Sequence, residues 1–200
     1  ASPGRRRAIL ARGAGAASLA LPGAHAALDP GRKVLRVAFR VAETGFDPQR
    51  IFDRYSVGIC ENLFETLVSY DYLARPVKLV PLAAESVPEP EEGGTRYTFR
   101  IKPGIRYAND PVFGGRKREL VAADVEYAIK RFRDPANRSP YEWLFQGNIL
   151  GLDELTERAK KEGRFDYDAK VPGIELQGDY LVSVKLKEPN YNFLYFMAID

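Results

Sequence analysis

One histidine, one cysteine, one tryptophan and one methionine occur in 200 residues. The lone histidine, His25, lies in an Arg- and Ala-rich leader, so the body of the chain carries none. Ser-His-Asp and Cys-His catalysis therefore have no base in this segment, and a His-based zinc site has no ligands. With Cys60 alone, an internal disulfide framework is excluded. No apolar run approaches the ~20 residues that a helix needs to cross a bilayer. Gly93-Gly94 and Gly114-Gly115 lack the Lys-Ser/Thr of a phosphate-binding loop and read as turns. Acids are plentiful but adjacent, as in Glu91-Glu92 and Asp153-Glu154. Sequence neighbours point apart on a helix or strand, so these read as solvated faces, not as the facing pair that glycoside hydrolysis needs.

What is present is ordinary globular composition, 28% charged and 45% hydrophobic. The formal net charge is +3, but Arg5, Arg6, Arg7 and Arg12 all fall in the first 26 residues, which hold no acid. The remaining body is near neutral with interspersed signs, which argues against nucleic acid as a partner. Residues 1–26 combine an arginine cluster, a weakly apolar stretch and Ala24-His25-Ala26. That pattern predicts a signal peptide cut after Ala26 and a periplasmic mature protein. Arg6-Arg7-Ala8-Ile9-Leu10 is similar to the twin-arginine export pattern, with Arg5 where Ser or Thr is usual. No Cys follows the apolar stretch, so no N-terminal lipid anchor is expected. Oxidising compartments favour paired cysteines. Cys60 falls on an apolar stripe and reads as a buried, inert thiol, with a partner Cys in missing C-terminal sequence as the alternative. A first residue Ala and a last residue Asp200 just after an apolar run lead us to expect trimming at both ends.

Periodicity supplies the elements. Val34 to Phe39 alternates and predicts a strand; Gly45 to Pro48 breaks it. Ser56 is expected to cap a helix running to about Tyr70, with Ile59, Cys60, Leu63, Phe64, Leu67 and Val68 on one face. Pro81 to Pro90 reads as an irregular connector. Arg96 to Lys102 predicts a strand with Tyr97, Phe99 and Ile101 on one face, turned by Pro103-Gly104. Ala122 to Arg133 predicts a helix with Ala122, Val125, Ile129 and Phe132 inward, ended by Asp134-Pro135. Leu152 to Glu162 is a charged helix stopped by Gly163, and 163–170 reads as a surface loop. Gly173 to Leu176 and Tyr180 to Lys187 form a hairpin about Gly178-Asp179. Asn190 to Ile199 is a short helix entering a core. Strands and helices without regular alternation give a mixed α/β fold class.

Several segments together resemble the family 5 extracellular solute-binding proteins of ABC importers, which include oligopeptide- and dipeptide-binding proteins. They are Phe46-Asp47-Pro48 with Asn62 to Val68; Leu79 to Glu85 with Tyr97 to Ile105; Ala122 to Arg131 with Asp134-Pro135 and Ser139-Pro140-Tyr141; and Gly178 to Leu186 with Glu188-Pro189. The order and spacing over residues 34–196 carry the likeness. Val121 departs from the usual Thr or Ser cap, and Asn109 to Arg118 is longer and more basic than the turn usual there.

The resemblance implies a two-lobed, hinged fold of the periplasmic-binding-protein type II kind, more than twice as long as this chain. Residues 1–26 would be the signal peptide and 27–64 the start of the first lobe. Residues 65–188 would be a small α/β subdomain, and 189–200 a return towards the first lobe. It implies a monomer that captures a small solute, expected to be a peptide, for the membrane permease subunits of an ABC importer, with no catalytic residues, cofactor or metal. Phe52, Asp53, Arg54 and Tyr55 would line the cleft, where Asp53 or Arg54 could meet a charged group of the ligand; the plainer reading is a solvated loop. Tyr141 matches a position that faces the ligand. Trp143 belongs either to the cleft or to the core. The rival function is a secreted hydrolase of peptides or polysaccharides.

Overall fold

The computed structural model describes residue 33 and residues 36–199. The chain divides after Ala38 into two units, and every helix and strand belongs to the one from Phe39 onward. The expected signal peptide, its cleavage site, Val34 and Leu35 lie outside the described residues. The rest of that expected strand, Arg36 to Phe39, is not a strand: it pairs with nothing among the described residues, and Val37 and Phe39 stay exposed. Alternation alone cannot hold a strand that has no ladder partner.

The core is built on one strictly alternating segment. Strand β3 (Arg96–Arg100) buries Tyr97 and Phe99, and Ile101 continues the same face. It pairs antiparallel with β5 (Leu181–Lys185), which pairs antiparallel with β4 (Ile174–Gln177), giving the sheet order β3-β5-β4. Register places Phe99 opposite Val182 and Tyr97 opposite Val184, so large and β-branched side chains fill one face. Gly178, at φ 62°, makes the expected turn between β4 and β5. Helices α2 (Ala122–Arg133) and α3 (Leu152–Glu162) pack against each other, and α2 covers β4 and β5. Val121 has no side-chain donor or acceptor for the α2 cap. Asp124 compensates by accepting from the Val121 amide at 2.9 Å. Short α4 (Phe193–Phe196) buries Phe193 against the Tyr97 ring at 5.3 Å, and the Tyr97 hydroxyl donates to the Asn190 carbonyl at 2.8 Å.

Three expectations need correction. The helix from Ser56 to Tyr70 is two elements. Helix α1 (Arg54–Cys60) is capped by Asp53, and Val68–Tyr70 is strand β1, paired with β2 (Leu79–Pro81), which ends where the expected connector begins. Leu67 and Val68 are buried by the hairpin, while Leu63 and Phe64 are left exposed. Tertiary pairing has overridden a helical spacing. The 163–170 loop is also not a free surface loop. Phe165 is buried, the Tyr167 hydroxyl donates to Asp134 at 2.6 Å, and Lys130 reaches the carbonyls of Tyr167 and Ala169 at 2.8 and 2.9 Å. Lys130 is itself 3% exposed and paired with Glu126 at 2.7 Å. Finally, Asp153 is half-buried, not part of a solvated face, whereas Glu91, Glu92 and Glu154 are exposed as expected. Glu91 and Glu92 flank Arg96, and Asp153 binds Arg133 and Lys187.

Candidate functional site

The segment before α1 is fastened to α2 by two bonds. Asp47 pairs with Arg131 at 2.6 Å, and the Gln49 side chain donates to the Ala128 carbonyl at 2.7 Å. The sequence marks Asp47 and the 122–131 segment separately and passes over Gln49; only long-range geometry joins them. The pairing carries Phe52 to the turn that follows α2, where its ring centroid lies 6.0 Å from that of Tyr141. Two segments that the same resemblance assigns to the cleft thus meet.

Their residues play different parts. Phe52 is 75% exposed, so the contact leaves most of its ring open. Arg54 is exposed and makes no side-chain hydrogen bond or ion pair among the described residues. Tyr55 is half-buried against Phe39 at 4.9 Å. Tyr141 is half-buried, its amide donates to Ser139 Oγ at 3.2 Å, and burial pushes its phenol pKa up. Trp143 is 57% exposed with its ring edge against Phe196, so it is not a core residue.

Asp53 is turned to structural use. Its carboxylate accepts from the amides of Tyr55 and Ser56 at 3.1 and 2.9 Å and from Thr44 Oγ1 at 2.5 Å. The Ser56 and Thr44 hydroxyls, then these amides, hold its pKa far below the ordinary 3.8. A carboxyl depressed on folding contributes stability that is fully present above 3.8 and is lost as pH falls towards its folded value. Asp53→Asn is therefore expected to lower the melting temperature at neutral pH, with the gap to the parent narrowing below 3.8. Thermal melts across that range check the sign; a constant gap would contradict it.

Beside Tyr141 opens a recess of about 560 Å³. Its walls are mainly apolar, including Leu63, Phe64, Ile105, Val125, Phe132 and Met197. Gln49 Oε1 is buried there without a hydrogen-bond partner among the described residues. The sequence reading missed this recess because it assigned Leu63 and Phe64 to a helix face. Among the described residues no group of three or more His, Cys, Asp or Glu could hold a metal ion. No described helix is long and apolar enough to cross a membrane.

A search of curated proteins finds no match. Solved structures do match. OppA of Listeria monocytogenes bound to peptide is 19% identical with a TM-score of 0.62, over 78% of this chain and 27% of that one. OppA of Haemophilus influenzae in complex with RPPGFSPFR is 24% identical with a TM-score of 0.61, over 76% and 26%. DppA of Helicobacter pylori with the peptide STSA is 23% identical with a TM-score of 0.57, over 78% and 28%. The chain therefore has the mixed α/β fold of part of these proteins and spans about a quarter of their length. A comparison with protein families matches residues 78–199 to the bacterial extracellular solute-binding proteins, family 5 Middle. The chain belongs to the family 5 bacterial extracellular solute-binding proteins.

Proposed function

We propose that this chain is part of a two-lobed periplasmic binding protein that captures a peptide and hands it to the permease subunits of an ABC importer. The observation that carries this reading is the Phe52–Tyr141 aromatic pair, with exposed Arg54 two residues along the chain and without a partner among the described residues, on a chain of this family. Exposed aromatic rings supply large contact area at low entropic cost, and an unpaired guanidinium can meet a carboxylate. Peptides in the matched OppA and DppA structures support the choice of ligand. In this reading residues 27–64 begin the first lobe, 65–188 form its small subdomain and 189–200 return towards it. The protein acts as a monomer without cofactor, and its work is binding, not turnover.

In the protein carrying its full length, Tyr141→Ala and Arg54→Ala are each expected to weaken peptide binding by roughly 1–3 kcal/mol. Both should leave the melting temperature nearly unchanged. Calorimetric titration with a peptide library, beside an assay for cleavage of the same peptides, decides the matter. Unchanged affinity in both variants removes this site, and cleavage points to a secreted hydrolase instead. Export is the companion proposal: a mature protein beginning Ala27-Leu28-Asp29. N-terminal sequencing of periplasmic material tests it, and an uncut chain in the cytoplasm would refute it.

A further inference from the structure

An ionic knot centred on the buried Arg133 lies behind the turn that carries Tyr141 and Trp143. Arg133, in the last turn of α2, is 4% exposed. Its guanidinium donates to Asp153 Oδ1, in the first turn of α3, at 2.9 Å. It also donates to the Glu142 carbonyl at 3.5 Å and lies 3.7 Å from the Glu142 carboxylate. The other oxygen of Asp153 accepts from the Gly147 amide and from Lys187 Nζ, both at 2.9 Å. Residue 142 opens the short 3-10 turn Glu142–Leu144 and residue 147 lies three residues past its end, so the knot grips this segment at two points. Behind α2, the Thr156 hydroxyl donates to the Arg133 carbonyl at 3.0 Å and joins α3 to the same point.

Energetics argue that the knot is not there for stability. A charge taken out of water is costly, and a well-packed apolar side chain commonly does as well or better in its place. Arg133 also buries its Nε–H without an acceptor among the described residues, a further cost. Both helix dipoles favour the arrangement, a cation at the C-terminus of α2 and an anion at the N-terminus of α3, but by modest amounts. What the forked guanidinium and the shared carboxylate supply beyond an apolar pair is direction: they set where Glu142 and Gly147 sit. A solute contact held by such a support loses affinity when the support is loosened, even with every contacting atom present.

We propose that Arg133 and Asp153 are positioning residues that hold the 141–147 turn in its binding geometry. The solute-binding part rests on the role proposed for Tyr141. Lys130 is the internal control. It is equally buried on the same helix, but it is tied to the 165–170 segment, not to the turn.

The experiment measures amide hydrogen exchange in the 200-residue chain and peptide affinity in the full-length protein for Arg133→Met, Asp153→Asn and Lys130→Met. Arg133→Met is expected to speed exchange of the 141–147 amides about tenfold while the amides of β3 and β5 keep their protection. Lys130→Met should speed exchange around 165–170 and leave the turn alone. Asp153→Asn keeps the shape and an acceptor for Gly147 but removes the charge, and should reproduce the Arg133→Met pattern more weakly if that variant fails to fold. Affinity should fall about tenfold in Arg133→Met, recover in part in Arg133→Lys, and hold in Lys130→Met. Unchanged exchange of the turn in folded Arg133→Met and Asp153→Asn overturns the proposal, as does an equal affinity loss in Lys130→Met. If Tyr141→Ala itself leaves affinity intact, the binding site is misplaced; the exchange pattern still decides whether the knot orders the turn.

Discussion

Phe99→Ala is expected to lower the free energy of unfolding by about 3–5 kcal/mol, as for a fully enclosed aromatic truncated to a methyl. Phe99 has no exposed surface, sits near the centre of β3, and faces Val182 across the ladder. Core side chains enclose it, so little collapse into the vacated space is available. Phe132→Ala provides the contrast. The helical pattern put Phe132 on the inward face of α2, yet it is only half-buried and borders the recess beside Tyr141. Truncating it enlarges a space that is already open, and should cost less than half as much. Denaturant melts of the two variants give the comparison directly. Equal losses would mean that the recess is closed in solution.

Gly173→Ala is the second large effect, about 3 kcal/mol of destabilisation from overpacking. A Cβ at this position would lie 2.5 Å from the Leu150 carbonyl oxygen and 2.7 Å from its amide nitrogen. Those atoms are backbone, so no rotamer change can yield. The Gly173 amide also donates to that same carbonyl at 2.8 Å, and its own carbonyl accepts from Lys185 at 2.8 Å. Relief would therefore break the junction between the start of β4 and the segment leading into α3. Gly178→Ala, where a Cβ meets nothing within 4 Å, should cost only the smaller penalty of its positive φ. A melt in which Gly173→Ala is the milder of the two would contradict the steric argument.

The elements legible in the sequence are those whose local signal and burial agree. In β3 a strict alternation meets a one-sided core; in α2 and α3 an apolar stripe meets the sheet or the neighbouring helix. Gly163 and Gly178 end or turn elements where positive φ is needed. The errors come from partners distant in sequence. Leu67 and Val68 fit a helix stripe as well as they fit a strand, and only Pro81 opposite Val68 and the Leu82 and Ala84 amides on the Leu67 carbonyl decide between them. The cap fell to Asp53 because Thr44 comes in to share its carboxylate. Lys130 and Arg133 carry residue types that predict exposure, and their burial follows from carbonyls and carboxylates supplied by other elements. At the candidate site, the segments around Phe52 and Tyr141 were marked by the family resemblance. Their meeting depends on Asp47–Arg131 and Gln49–Ala128, which no local pattern encodes.

Cys60 closes α1 with 2% of its surface exposed, and burial, then the nearby Asp47 and Asp53, pushes its thiol pKa up. It is the chain's single sulfhydryl. A thiol-specific probe in solution can therefore modify this chain only when the junction of α1 with its surroundings opens, and only by as much as that opening lasts. Mass added per molecule over time becomes a one-site clock for local opening, readable without introducing any label. The clock also reports ligand linkage: a solute that binds only the closed form slows it in proportion to its occupancy.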